Sequence, residues 1–351
     1  MGRGRFRMSH NKPAFAITLD GQDITSKIYP RLVSLTLTEA RENAVDELNI
    51  TIDDSDGRVA IPRKGVKITL QLGWHRANNG ADMVDKGTFV VDEVEHEGAP
   101  DMLVLRARSA EMAKPVRTRK DRSFDQKTVA DIVVQIAKDN GLAPKVSQSL
   151  QGKIIDHIDQ TNESDANFLN RLGKRFDAVA TVKKDALLFL PIDEGSNSKG
   201  ESLPTITLER RDGDKHRYHT ASRDAYSGVR AQWHDPNDAK EKSELIGEDD
   251  NPKRLRHTYP NQEAAEQAAK AEMNRVKRGK AILQFTLALG RPDITPMMGV
   301  RIPSLKAPIG DTDWIIIKTT HSVTAQGFTT QLEMETRSTA NSSSTADGTE
   351  Y

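Results

Sequence analysis

From Ala14 to Ser109 apolar and polar residues alternate with a period of two, as in Val33-Ser34-Leu35-Thr36-Leu37-Thr38, Leu48-Asn49-Ile50-Thr51-Ile52 and Val66-Lys67-Ile68-Thr69-Leu70-Gln71-Leu72. Successive side chains of a strand point to opposite faces, so this pattern suits a sheet buried on one side and no helix. Asp20-Gly21, Ser55-Asp56-Gly57, Asn78-Asn79-Gly80 and Gly98-Ala99-Pro100 separate the runs with residues that tolerate turn backbone angles. Short strands with regular turns predict an antiparallel barrel or sandwich.

The period changes at Thr128. Val129, Ile132, Val133, Ile136 and Ala137 form a helical stripe that Gly141 is placed to end. Further on, Ser164 is placed to cap a second helix, with Asp165 in its electropositive first turn and Phe168, Leu172 and Phe176 along one face. Strands resume at Ala178–Val182 and Leu187–Leu190 as a hairpin, and continue through Thr205–Leu208 and Gly228–Trp233. An Ala-rich segment capped by Asn261 interrupts them before strands return at Ala281–Leu289, Trp314–Thr320 and Thr329–Met334.

The fold class expected is therefore mainly β with α (α+β): two antiparallel β-barrel domains, a small helical domain between them, and a helical insertion in the second barrel. The expected division is a flexible basic arm at 1–13 and a first barrel at 14–110, then a basic linker with the helical domain at 111–176. The second barrel falls at 177–235 and 280–336, the insertion at 236–279, and a disordered polar tail at 337–351. The length, 351 residues, suits two or three such units.

Composition narrows the chemistry. The 51 basic and 51 acidic residues balance, and aromatic residues make up 5%, so neither a global field nor a stacking surface favours nucleic acid. With no cysteine there is no disulfide, thiolate metal site or cysteine nucleophile, which fits a reducing cytoplasm. The longest apolar runs, Ala186–Leu190 and Trp314–Ile317, are far below the roughly 20 residues of a membrane-spanning helix. Basic Met1–Arg7 is followed by Ser9-His10-Asn11-Lys12-Pro13, not by the apolar core of a signal peptide.

The stretch Asp159-Gln160-Thr161-Asn162-Glu163-Ser164-Asp165-Ala166-Asn167-Phe168-Leu169-Asn170-Arg171-Leu172 resembles the central motif of the late control gene D family, baseplate hub proteins of contractile phage tails. The resemblance extends in order along the chain: the first β unit to Ala110, the basic linker, the helix at Arg122–Leu142, the turn Gly290–Gly299, Trp314–Ile317, and the closing Gly327–Glu333. It implies a structural hub that trimerises into a pseudo-six-fold ring and joins the six-fold tail tube to a three-fold spike. It also implies a separate trimeric spike protein, with tail tube, tape-measure and baseplate wedge proteins as further partners. The implied location is the bacterial host cytoplasm during assembly, then the baseplate of a phage tail, tailocin or related injection machine.

Candidate sites are weighed against that reading. His216 and His219 would share a metal only on a helical face, and the Asp212-Gly213-Asp214-Lys215 beside them is turn-like. Asp54-Ser55-Asp56-Gly57 would put Ile52 and Arg63 at calcium-ligand positions, so a solvated hairpin turn is expected. Asp53-Asp54 and Glu248-Asp249-Asp250 read as surface charge, and there is no Gly-x-Ser-x-Gly elbow or phosphate-binding loop. Lys114–Arg122, and Lys253-Arg254-Leu255-Arg256-His257 with Lys270, Arg275, Lys277, Arg278 and Lys280, are basic clusters expected to solvate or to meet acidic neighbours, not nucleic acid. No catalytic, cofactor or metal residue is assigned, no enzyme activity is expected, and interface residues are not separable from core by pattern. The alternatives are a tail-associated carbohydrate- or nucleic-acid-binding protein, for which Trp74, Trp233 and Trp314 would have to line a groove, or a cell-wall hydrolase.

Overall fold

The computed structural model describes residues 12–41, 46–76, 80–109, 118–183, 186–192, 203–220, 226–235 and 240–337. The basic arm at 1–11, Lys114 to Arg117 of the linker, the 184–185 turn and the tail from 338 lie outside the described residues.

The period-two residues form β1 (Lys12–Leu19), β2 (Gln22–Asp23), a single-turn α1 (Thr25–Ile28), β3 (Leu32–Ala40), β4 (Glu47–Asp53), β5 (Lys67–Arg76), β6 (Gly80–Glu97) and β7 (Met102–Ser109). The strand β1 takes in Lys12 and Pro13, which the sequence had suggested belong to the arm. Their inward residues, among them Ile17, Leu35, Leu37, Leu48, Ile68, Leu70 and Phe89, make one core. A second core, with Val129, Ile132, Phe168, Leu172 and Phe189, binds a mixed unit. That unit runs β8 (Arg119–Thr128), α2 (Val129–Asp139), β9 (Ala143–Val146), α3 (Gln148–Gln151), β10 (Ile154–Ser164), α4 (Asp165–Phe176), β11 (Ala178–Lys183) and β12 (Ala186–Pro191). The helix α2 opens with a Thr128–Asp131 capping box, and Gly141 follows its end at φ +70, a conformation open to glycine.

Here the expected division changes. The strand β12 pairs antiparallel with β11 but also parallel with β9, so 178–191 joins the sheet of the helical unit. Similarly β15 (Gly228–Asp235) pairs with β16 (Lys240–Gly247) and β17 (Pro252–Tyr259) and packs under α5 (Gln262–Arg278), so the insertion already includes 228–235. Alternation dictates which face of a strand is buried and leaves its neighbour open.

The remaining strands are β13 (Thr205–Thr207), β14 (Gly213–Thr220), β18 (Ala281–Leu287), β19 (Gly299–Arg301), β20 (Trp314–Thr324) and β21 (Gly327–Thr336). The strand β20 pairs antiparallel with β3, from Lys318 opposite Ala40 to Thr324 opposite Ser34. The two β halves therefore share a 13-stranded sheet whose main path runs β14-β18-β21-β20-β3-β4-β7-β6-β5-β1-β2. Among the described residues no ladder joins its two ends, and the two β-barrel domains expected from the sequence are not seen as closed barrels. The sheet instead curls until β5 meets the β21 end through side chains. The Trp74 indole donates to the Gly290 carbonyl at 2.8 Å, and its ring lies 5.4 Å from that of Phe328.

Candidate assembly junction

Three polar clusters fasten the fold, the first inside the helical unit and the other two between units. The first lies in the Gln160–Asp165 stretch. The β8–β10 register shifts between Gln160 and Glu163, where Asn162 takes φ +47 and its N–H donates to Asp121 Oδ1 at 2.7 Å. The irregularity delivers Ser164 as the N-cap of α4, accepting from the Asn167 N–H. Asp165 is fully buried. It accepts from Lys120 Nζ at 2.7 Å, Asn140 Nδ2 at 2.8 Å and Gln160 Nε2 at 2.9 Å, and also from Arg122 Nη2. Burial alone would raise its pKa, but the Lys120, Asn140 and Gln160 hydrogen bonds and the Arg122 charge hold the carboxyl below the usual range. Lys120 and Arg122, read from sequence as a solvated cluster, are thus internal partners of this carboxylate.

The second cluster joins all three units. Asp177 ends α4 in the left-handed region, at φ +52. Its carboxylate accepts from Arg278 Nη1 at 2.7 Å and also from Nη2. Arg278 Nε lies 3.0 Å from Glu335 Oε1, which in turn accepts from Arg41 Nη1 at 2.7 Å. Arg278, at the end of α5, is only 1% exposed. Two cations and two anions thus balance in a buried chain linking the helical unit, the insertion and the shared sheet.

The third cluster lies where β3 and β20 pair. Lys86 Nζ sits 2.6 Å from Glu39 Oε2 and donates to the Pro292 carbonyl at 3.1 Å. His321 Nε2 is 3.2 Å from the same Glu39 oxygen, and its Nδ1 is 2.9 Å from Thr330 Oγ1. Burial, helped by the Lys86 charge and opposed by Glu39, holds the imidazole pKa below its ordinary value. With Nε2–H donating to Glu39, a neutral ring accepts at Nδ1 from Thr330, whose Oγ1 accepts from the Arg291 N–H at 3.0 Å. No local pattern announces this cluster, because Glu39 and His321 are 282 residues apart. The available signal was His321, in phase with buried Val323 along β20.

The sequence candidates fall elsewhere. His216 and His219 lie in β14, three apart, and so project from opposite faces of a strand and not from one helical face. Asp54 is not a solvated hairpin residue: it is buried in the connection from β4 to β5, where it accepts from the Val59 N–H at 2.8 Å and lies 3.2 Å from His96 Nε2. Asp53 accepts from the Ser55 N–H, and Asp249 pairs with Arg230. In the second basic cluster Lys253 and Arg275 both pair with Glu272, Lys270 pairs with Glu266, and Arg278 is internal. Trp314 and Trp233 are buried, donating to Ile309 O and Glu244 Oε1, and Trp74 seals the curl of the sheet. Among the described residues no group of three or more His, Cys, Asp or Glu could hold a metal ion, and no helix is long and apolar enough to cross a membrane.

The arrangement is that of a β-rich scaffold whose buried charges fasten units to one another. The family model described as phage tail baseplate hub (GPD) matches residues 48–327. The probable baseplate hub protein of Escherichia phage 186 is 39% identical, with 93% of each chain covered. That of Escherichia phage P2 is 37% identical, with the same coverage. The 43 kDa tail protein of prophage MuSo2 from Shewanella oneidensis shares the fold, with a TM-score of 0.67 at 13% identity over 92% of this chain and 98% of that one. This chain belongs to the phage tail baseplate hub (GPD) family.

Proposed function

We propose that this chain is a non-enzymatic hub that assembles as a homotrimer, forming a pseudo-six-fold ring between the tail tube and a separate trimeric spike. The observation that carries the reading is the β3–β20 ladder. It sets two β units of one chain side by side, so three chains supply six lobes to a six-fold tube and keep a three-fold axis for the spike. The buried clusters at that ladder support a rigid two-lobed unit. On this reading the chain folds in the bacterial cytoplasm, joins tape-measure and wedge proteins during assembly, and ends in the baseplate of a phage tail or tailocin.

Light scattering of the purified chain, alone and with a trimeric spike protein from the same tail, tests this. A three-to-three complex is expected, whether the ring forms alone or on the spike. A chain that stays monomeric with the spike present would overturn the proposal.

A further inference from the structure

A shallow cleft between α4 and α5 is lined by apolar residues below and cations at its rim. Its floor includes buried Ala178, Val179 and Ile192. Val179 and Ile192 are backed by Met297 and Ile315 in a small apolar cluster, so the floor is fixed by the shared sheet. The rim carries Asn170, Lys174 and Arg275.

Among the described residues the charges at this rim are not balanced. Lys174 is exposed, and its ammonium makes no hydrogen bond or ion pair among the described residues. Arg275 donates from Nη2 to the Lys174 carbonyl, its Nη1 lies 2.9 Å from Glu272 Oε2, and its buried Nε has no partner. Glu272 also holds Lys253 Nζ at 2.6 Å, so one carboxylate faces two cations. The other carboxylate at the cleft, Asp177, is engaged by Arg278. An apolar floor beside the exposed Lys174 ammonium and a guanidinium that shares its carboxylate with Lys253 matches a carboxylate side chain with an apolar residue next to it.

We propose that the α4–α5 cleft docks an acidic segment of a neighbouring protein, an Asp or Glu accepting from Lys174 and Arg275 while an adjacent apolar side chain covers Val179 and Ile192. A nucleic-acid strand fits less well, because it asks for a track of cations along its backbone and gains nothing from a small aliphatic floor. The hub reading supplies only the neighbour; the chemistry of the cleft belongs to the isolated chain.

The test is amide NMR of the full chain titrated with the peptide acetyl-Leu-Glu-Leu-amide and with its Gln counterpart. The Glu peptide is expected to shift the amides of Asn170, Lys174 and Val179, with the Gln peptide about tenfold weaker for loss of a charge-assisted hydrogen bond. Lys174→Glu, a reversal at an exposed position, is expected to remove the response and leave the remaining spectrum in place. Equal response to both peptides, no shift at these amides, or an equal response to an oligothymidylate would overturn the proposal. So would a response seen only in the D193N/E194Q variant, which would assign the cleft to the chain's own carboxylates. The oligomeric mass of Lys174→Glu, measured separately, reports on the hub reading, so the two can fail independently.

Discussion

At Asp177 one side chain serves two purposes, ending α4 in a left-handed conformation and compensating Arg278. Asparagine tolerates that conformation, so Asp177→Asn isolates the charge. It leaves a buried guanidinium with Glu335 shared between two cations, and is expected to cost about 3 kcal/mol in urea unfolding. A loss below about 0.5 kcal/mol would mean that the ionic chain is incidental. His321 gives a pH signature. Its folded pKa lies below the ordinary value of 6.5, so its contribution is complete above that value and is lost as pH falls toward the folded pKa. The unfolding midpoint should therefore drop between pH 7 and pH 5, and His321→Gln should drop less; parallel curves would refute the assignment. At this scale the sequence was a partial guide. Ser164 was readable as a cap because capping is local, whereas the partners of Arg278 and Glu39, and those of Asp165 other than Gln160, come from distant elements and leave no mark on their neighbours in the chain.

Elements were legible where period and punctuation agree, as in α2 and α4, whose buried stripes match the expected faces. Pairing was not, and β12 and β15 went to sheets other than the one expected. The approach of α4 to β11 shows why contact geometry escapes pattern. A Cβ at Gly173 would lie 2.5 Å from the Ala178 carbonyl oxygen, a backbone atom with little freedom to move. Helix propensity favours Gly173→Ala by about 1 kcal/mol, and overpacking against it costs about 1–3 kcal/mol. The clash should prevail, giving a lower thermal midpoint with unchanged helix content by circular dichroism; a stabilised variant would show that α4 and β11 can part freely.

Across the whole molecule, balanced net charge conceals carboxylates that depend on folded-state partners. Asp165 is held low against its burial by Lys120, Asn140, Gln160 and Arg122, Asp313 by Arg301, and Asp56, hydrogen-bonded to Arg31, is lowered to about 2. Each contributes stability above its unfolded pKa, near 3.8, and that contribution is lost as pH falls through the folded value. Scanning calorimetry should show the midpoint falling steeply below about pH 4; a flat profile to pH 2 would contradict the role given to these pairs. The sheet that ties both β halves through β3 and β20 is the other property of the whole, and it underlies the proposed ring. Electron cryomicroscopy of the tail particle at the junction of tube and spike tests that most directly. The account predicts three copies of this chain around the axis, two β lobes each, with the β3–β20 ladder intact between the lobes. Six copies in the ring, or a copy whose halves have separated at that ladder, would contradict it.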